Sequence, residues 1–174
     1  MDHTLNDRHD ELVEILPNIR RFAYSLTSNM ADADDLLQST VERVLERGLP
    51  EEVPLLPWCL RIGRNLWIDE IRSRKVRKDA SSEPAVMGDQ VLMGEQQVLG
   101  EIALGEVQDA LRTMSEDQRA VLELVAIEGF SYKEAAELLD VPTGTVMSRL
   151  ARARSTLAER SGQNEIPASG SDGA

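Results

Sequence analysis

Apolar residues recur every three or four positions along nearly the whole chain, and this spacing constrains the fold more than any other feature. Leu12, Ile15, Ile19 and Phe22 follow it, and a second such run occupies residues 36–45. This period places side chains on one face of an α-helix, whereas strands require alternation. Sustained alternation occurs nowhere, and aromatic residues, which favour strands, are only 3% of the chain. We therefore predict an all-α fold.

Breaks in this pattern divide the chain into two small helical domains. We predict a first domain over 1–78, a flexible linker of small and polar residues interrupted by glycines over 79–104, a second domain over 105–160 and a disordered tail over 161–174. Fully extended, the linker could span roughly 80–90 Å. The two domains can therefore act at well-separated places.

Two helices are predicted in the second half of the first domain. One begins at Asp32 or Asp34 and ends near Arg47, because a glycine and a proline follow. The other runs from about Trp58 to Lys78. Its periodicity directs five apolar side chains toward the core: Leu60, Ile62, Leu66, Trp67 and Ile71.

The net charge of −12 is unevenly distributed. Residues 57–78 carry +5 and 131–160 carry +1, whereas 1–56 carry −7 and 79–130 carry −9. This asymmetry favours separate interaction surfaces over a uniformly acidic one. The alternative interpretation of the basic stretch at residues 57–78 is an ordinary solvent-exposed helix face with no ligand.

Several classes of function are disfavoured by what the sequence contains. Cys59 is the single cysteine, and the two histidines lie in the polar N-terminal segment. We therefore expect no internal disulfide, metal site, cofactor or catalytic residue. The polar N-terminus and the lack of a long apolar run lead us to expect a cytoplasmic protein without membrane insertion.

The second domain contains the pattern of a helix-turn-helix. Ser131 and Glu134 have capping-box spacing at the start of one helix, and Pro142 separates it from the next. In the second helix, Val146 and Leu150 share an inward face. An ordinary buried two-helix hairpin is the alternative to DNA binding. The residues predicted to contact DNA on or beside the outer face are Thr145, Met147, Ser148, Arg149, Ala151, Arg152 and Arg154.

The first domain has one acidic face and one basic face. The acidic face predicts a protein partner, although helix capping alone could explain the first two aspartates. It comprises Asp32, Asp34, Asp35, Leu36, Gln38, Glu42 and Arg43. The basic face combines cations, an amide and an aromatic ring, which suit phosphates and unstacked bases, although the tryptophan could be core. It comprises Trp58, Arg61, Arg64, Asn65, Arg72, Arg74 and Lys75.

Four segments in order resemble a bacterial sigma factor of the extracytoplasmic-function (ECF) type. They are Asp32–Gln38, Pro57–Asp69, Leu111–Leu122 and Gly144–Arg154. The resemblance implies a region 2 helical bundle that binds core RNA polymerase and melts the −10 element, and a region 4 helix-turn-helix that reads the −35 element. It also implies that Asn65 lines the pocket for a flipped base.

The same resemblance implies partners and a branch of the family. Core RNA polymerase, promoter DNA and an anti-sigma factor are the expected partners. The segment Leu16–Ala23 and the Gly-Thr-Val-Met-Ser-Arg version of the second helix resemble the alphaproteobacterial general-stress branch. Ser39 and Met147 depart from the usual pattern, where an acid and a cation are frequent.

Two other functions compete with promoter recognition. A sigma-like decoy that sequesters an anti-sigma factor would need the docking surfaces but not the DNA contacts. Retention of Arg61, Asn65 and Arg152 therefore favours an initiation factor. An enzyme is disfavoured because no phosphate-cradling glycine loop or metal-spaced cluster is present in the sequence.

Overall fold

Three helices form the first domain. The computed structural model describes residues 2–81 and 108–162. Helices α1 (Asp2–Thr27), α2 (Met30–Arg47) and α3 (Leu55–Ala80) all pack against one another. Their shared core includes Phe22, Val44 and Leu60, each no more than 1% exposed. The predicted helical periodicity thus produces a three-helix bundle.

Short helices form the second domain. A helical stretch over 108–113 precedes α4 (Glu116–Leu122), which continues directly into a π-helical turn (Glu123–Ile127). Helices α5 (Tyr132–Leu139) and α6 (Thr143–Gly162) complete the domain. The described segments contain no strand, and the all-α prediction is confirmed. No helix in 2–81 or 108–162 is long and apolar enough to cross a membrane. The predicted linker beyond residue 81 and the predicted tail beyond 162 lie outside the described residues.

The start of α2 differs from the prediction. Asn29, not Asp32 or Asp34, caps the helix: its side-chain oxygen accepts from the Asp32 N–H at 3.0 Å. Asn is as good an N-cap as Asp, and Met30 can then form the first turn. At the other end, Gly48 has φ of 77° and its N–H donates to the Leu45 carbonyl, so the helix ends where glycine was expected to end it.

Helix α3 is longer than predicted at both ends. It begins at Leu55, directly after Pro54, and extends to Ala80. Every residue from Ile71 to Ala80 is exposed, so the core of the bundle ends before this part of the helix. The prediction that Ile71 faces the core is therefore wrong: its side chain is 39% exposed. Periodicity places Ile71 on an apolar face but does not reveal where the neighbouring helices end.

Gly63 allows α2 and α3 to approach closely. A Cβ at this position would lie 3.0 Å from the Oγ1 of Thr40. Thr40 is completely buried, and its hydroxyl donates to the Leu36 carbonyl at 2.7 Å, so it cannot easily move aside. The contact makes glycine necessary at a helical position that would otherwise favour alanine.

We expect Gly63→Ala to destabilise the protein by about 1 kcal/mol, because overpacking exceeds the gain in helix propensity. In a Thr40→Ala background, which removes the obstructing atoms, the same substitution should instead stabilise. Urea unfolding of the four proteins measures both effects. Equal effects of Gly63→Ala in the two backgrounds would contradict this account of the contact.

The two domains pack on each other. Helix α1 contacts α4 and the π-helical turn, and α3 contacts α5. Buried apolar residues of both domains belong to one continuous core cluster, which includes Leu12 and Leu124. Side chains of one domain also bind polar atoms of the other, as in the hydrogen bond from the Trp67 indole to Glu116 at 3.0 Å.

Candidate nucleic-acid interface

Helix α3 presents an exposed polar stripe, which we call the α3 stripe and which consists of Arg61, Asn65 and Arg72. Arg61, Asn65 and Arg72 follow one another at intervals of four and seven residues, which places them on one helix face. All three are exposed, and the Arg72 side chain is 77% exposed. A guanidinium group thus lies on each side of an amide along the helix. Phosphates and the edge of an unstacked base are suitable ligands for such a stripe.

Two other residues predicted for this surface lie apart from the stripe. Trp58 is half-buried and packs against the hydrophobic core. Arg64 is half-buried, and its burial lowers the pKa of its guanidinium, while Asp140 and Asp117 of the second domain act in the opposite direction. Arg64 therefore faces the domain boundary.

Arg74 occupies yet another face of α3. Its guanidinium binds Glu70 at 2.8 Å and Asp32 at 3.5 Å, and it lies 5.4 Å above the centre of the Trp67 ring. The hydrogen bond from Arg74 lowers the pKa of Glu70. Trp67 itself is 8% exposed, in agreement with the prediction that it is core. Lys75, one position further on, is exposed.

The acidic face of α2 divides into two groups. Asp35, Gln38 and Glu42 are exposed along one side of the helix, and the Gln38 amide donates to Glu42 at 3.1 Å. We call these three residues the α2 stripe. The Asp34 carboxylate, by contrast, accepts a hydrogen bond from the Arg20 guanidinium at 2.7 Å. Asp32 binds Arg74, as described above. The α2 stripe is therefore the part of this face that is open to a partner.

The remaining two residues of the acidic face have different positions. Leu36 is 7% exposed and belongs to the core. Arg43 is exposed and pairs with Glu46 one turn further along at 3.4 Å. Leu36 thus packs α2 against the rest of the bundle, and Arg43 lies on the surface beside the α2 stripe.

Local interactions position the helix-turn-helix. Ser131 and Glu134 form both hydrogen bonds of the predicted capping box, at 3.1 and 2.8 Å. The turn between the helices uses Asp140 in the left-handed conformation with φ of 53°. The Pro142 carbonyl then accepts from the Thr145 N–H at 3.0 Å and begins α6.

Helix α6 has an inward and an outward face. Val146, Leu150 and Ala153 are no more than 1% exposed. The outward residues are all exposed, among them Met147 at 52%; they are Met147, Ser148, Ala151 and Arg152. This division leaves a complete face available to a DNA groove.

The residues flanking this outward face differ in their accessibility. Arg154 is exposed and Thr145 is partly buried. Arg149 binds Asp117 of α4 at 3.1 Å, with its side chain only 23% exposed. Arg149 therefore contacts its own domain, and Arg152 is the basic residue of the outward face itself.

Arg8 was not predicted as a site residue. Its guanidinium donates to the carbonyls of Glu51 at 3.0 Å and Val53 at 2.9 Å, and also to that of Pro50, and so fixes the loop that leads into α3. An arginine in a polar N-terminal segment carries no sequence signal for a contact more than 40 residues away. Only the folded bundle brings the two together.

Two family models match the chain in the order of its two domains. "Sigma-70 region 2" matches residues 12–77, which cover most of the three-helix bundle, and "Sigma-70, region 4" matches residues 104–157, which include the helix-turn-helix. The fold and the two family models thus define a protein of the sigma-70 class.

The similar proteins specify the class further. The chain is 34% identical to the ECF RNA polymerase sigma factor EcfG of Rhodopseudomonas palustris, over 85% of this chain and 81% of that protein. The sigma factor RpoE of Bartonella quintana, solved in complex with the anti-sigma factor NepR, matches at 30% identity and a TM-score of 0.75, covering 91% of this chain and 98% of that one. The chain belongs to the ECF sigma factors, as predicted.

The fold alone does not separate a sigma factor from a decoy. The anti-anti-sigma factor PhyR of Bartonella quintana, complexed with NepR, has a TM-score of 0.51 at 16% identity, covering 87% of this chain and 49% of that one. The greater sequence identity to EcfG and RpoE identifies a transcription initiation factor, as predicted.

Proposed function

We propose that the three exposed surfaces divide the work of promoter recognition. The α2 stripe docks on core RNA polymerase, the α3 stripe holds the melted −10 strand, and the outward face of α6 reads the −35 element. The observation that carries this proposal is that each surface is exposed on its own helix, while the opposite face of that helix packs into the core. One chain can then bind polymerase and DNA together.

The side chains of the α3 stripe suit a single strand. Arg61 and Arg72 can neutralise phosphates on either side of an extruded base, and the Asn65 amide offers both a donor and an acceptor to that base. Extruding a base costs a few kcal/mol, which these contacts offset. The protein acts by binding, and polymerase performs the chemistry, so we propose that the chain is not an enzyme and works in the cytoplasm.

The outward face of α6 suits the major groove. Arg152 can bind guanine or phosphate, while Met147 and Ala151 can contact thymine methyl groups. The helix-turn-helix region carries only +1 in total. We therefore infer that region 4 binds promoter DNA weakly until polymerase holds it in place.

We also propose that an anti-sigma factor regulates this chain. The support is the RpoE of Bartonella quintana, which is similar over nearly the whole chain and was solved in complex with one. A protein that covers the α2 stripe would prevent polymerase docking. We expect transcription to be lost when such a protein is added and to be restored by an excess of this sigma factor.

In vitro transcription tests the division of labour. With purified core polymerase and promoters selected from random DNA by the holoenzyme, we expect specific transcripts from the wild-type chain. Asn65→Ala should reduce them about tenfold or more, because a lost base contact costs roughly 1–3 kcal/mol. Permanganate reactivity of the −10 region should fall in parallel, since the strand is no longer captured.

Polymerase binding is the internal control for Asn65→Ala. The α3 stripe lies on a different helix from the α2 stripe, so affinity for core polymerase should not change. Normal promoter opening by this variant would remove Asn65 from the proposed role. A wild-type chain that binds no core polymerase would overturn the proposed function as a whole.

A further inference from the structure

An ion pair links helix α6 to helix α4 within the second domain. The Arg149 guanidinium lies 3.1 Å from a carboxylate oxygen of Asp117. The Arg149 side chain is only 23% exposed, whereas that of Asp117 is 62% exposed. By helical spacing Arg149 lies at the edge of the outward face, next to the inward face of α6. A phosphate contact by Arg149 would first have to break this pair.

Helix α4 provides a firm support for the pair. Ser115 caps the helix, and Ser115 and Gln118 form both hydrogen bonds of a capping box, at 3.3 and 3.4 Å. Ala120 and Val121 on the same helix are no more than 2% exposed. Asp117 lies in the first turn, where the helix dipole also stabilises a carboxylate. The Asp117 carboxylate therefore occupies a well-defined place in the domain.

Apolar packing leaves the rotation of α6 about its own axis less well defined. Its inward side chains, Val146, Leu150 and Ala153, are completely or almost completely buried, but apolar contacts are not directional. A rotation of about 20° at a side-chain radius of roughly 5–6 Å displaces an outward side chain by about 2 Å. A hydrogen bond to a base edge does not survive that displacement. Recognition by the outward face thus requires a fixed rotation.

We propose that the ion pair with Asp117 fixes the rotation of α6, and that Arg149 is a positioning residue for recognition of the −35 element. It acts through Arg152 and the rest of the outward face and does not contact DNA itself. This inference rests on the proposed function, in which that face reads the −35 element. Rotation of α6 would draw Arg149 away from Asp117 by the same 2 Å or so, and the loss of attraction opposes it.

The sign of one effect separates positioning from direct contact. Asp117→Asn keeps the shape of the side chain and removes its charge. If Asp117 orients α6, the affinity of the holoenzyme for promoter DNA with a −35 element should fall about threefold, on the scale of a partly exposed ion pair. If Arg149 binds a phosphate, the same substitution frees the arginine and removes a negative charge, so affinity should rise. Fluorescence anisotropy of labelled promoter DNA measures the affinity.

Asp109→Asn is the matched control. It removes the same charge from the second domain, but Asp109 pairs with Arg112 one turn away at 3.4 Å. Its affinity for promoter DNA should equal that of the wild-type holoenzyme. Selection of binding sites adds a readout that loss of stability would not produce: Asp117→Asn should relax preference at several −35 positions together, because the whole outward face shifts. Binding to core polymerase should be unchanged, and circular dichroism checks that each variant is folded.

Reversal of the pair gives a second, independent test. Arg149→Asp places two carboxylates side by side and should lower promoter affinity about tenfold. Adding Asp117→Arg should restore the −35 preference, with affinity within about twofold of wild type. An arginine that contacted DNA from position 149 could not be replaced in this way. Asp117 also acts electrostatically on Arg64 of α3, and the reversed pair does not restore that interaction, so rescue assigns the effect to α4 and α6.

Three results would overturn the positioning role. They are unchanged or tighter DNA binding by Asp117→Asn, an equal loss with Asp109→Asn, and failure of the reversed pair to restore the −35 preference. In each case a wild-type holoenzyme that still prefers a −35 sequence leaves the proposed function intact. A wild-type holoenzyme with no preference at these positions would instead refute the reading of DNA by α6, and this inference with it.

Discussion

Reversing one charge on the α2 stripe, by Asp35→Arg, should reduce affinity for core polymerase about 100-fold and abolish promoter-specific transcription. Asp35 is exposed beside Gln38 and Glu42. A surface that complements these acidic groups must be basic, and juxtaposing like charges costs several kcal/mol. Competition with a labelled wild-type chain for core polymerase measures the affinity.

The control for Asp35→Arg is Glu14→Arg, which makes the same change of charge at an exposed position on α1. It should leave polymerase affinity nearly unchanged, because non-specific electrostatics between exposed charges are screened within about 10 Å at 0.1 M salt. If both variants lose affinity equally, net charge and not the α2 stripe governs docking.

Removal of the Arg152 side chain should produce the second large effect. Arg152 lies on the outward face of α6, where a contact to a base edge is worth roughly 1–3 kcal/mol. Arg152→Ala should therefore lower transcription from promoters that depend on the −35 element by about 10-fold or more. Selection of binding sites with the variant should also show relaxed preference at one position of that element.

Arg160→Ala is the matched control for Arg152→Ala. Arg160 lies in the last turn of the same helix and is also exposed, so its removal changes the charge equally without altering the outward face. A base contact predicts altered sequence preference only for Arg152→Ala. A uniform loss of affinity at all promoters would show that Arg152 contacts phosphate and not a base.

Periodicity and capping signals predict much of this fold correctly, because they report local interactions. The Ser131–Glu134 capping box and the end of α2 at Gly48 lie where the sequence placed them. The faces of α6 also follow directly from spacing. The start of α2 was misplaced because Asn29 and Asp32 are both good caps, and the choice between them depends on how the preceding turn packs.

The candidate site was less predictable where charged residues find partners within the molecule. Sequence spacing groups Arg74 and Arg149 with the DNA-binding residues, but Asp32, Glu70 and Asp117 bind them in the fold. The hydrogen bonds from Asn18 and Arg21 to Glu128 across the domain boundary were not predicted at all, because polar residues on an amphipathic helix are expected to face solvent. Long-range pairing between domains has no local pattern in the sequence.

The ion pairs of α3 affect how salt should act on DNA binding. Three of its seven basic side chains, Arg72, Arg74 and Arg77, already pair with carboxylates of Asp69, Asp32 or Glu70. When a DNA phosphate displaces the carboxylate from one of these arginines, DNA releases a condensed cation. The freed carboxylate then attracts a cation from solution. The counterions released from DNA are thus partly recaptured by the protein. If α3 binds a single strand, the logarithm of its affinity should fall less steeply with the logarithm of salt concentration than seven phosphate contacts imply at a slope of about 0.7 each. The acidic residues around α3 thus act as its counterions in the absence of DNA.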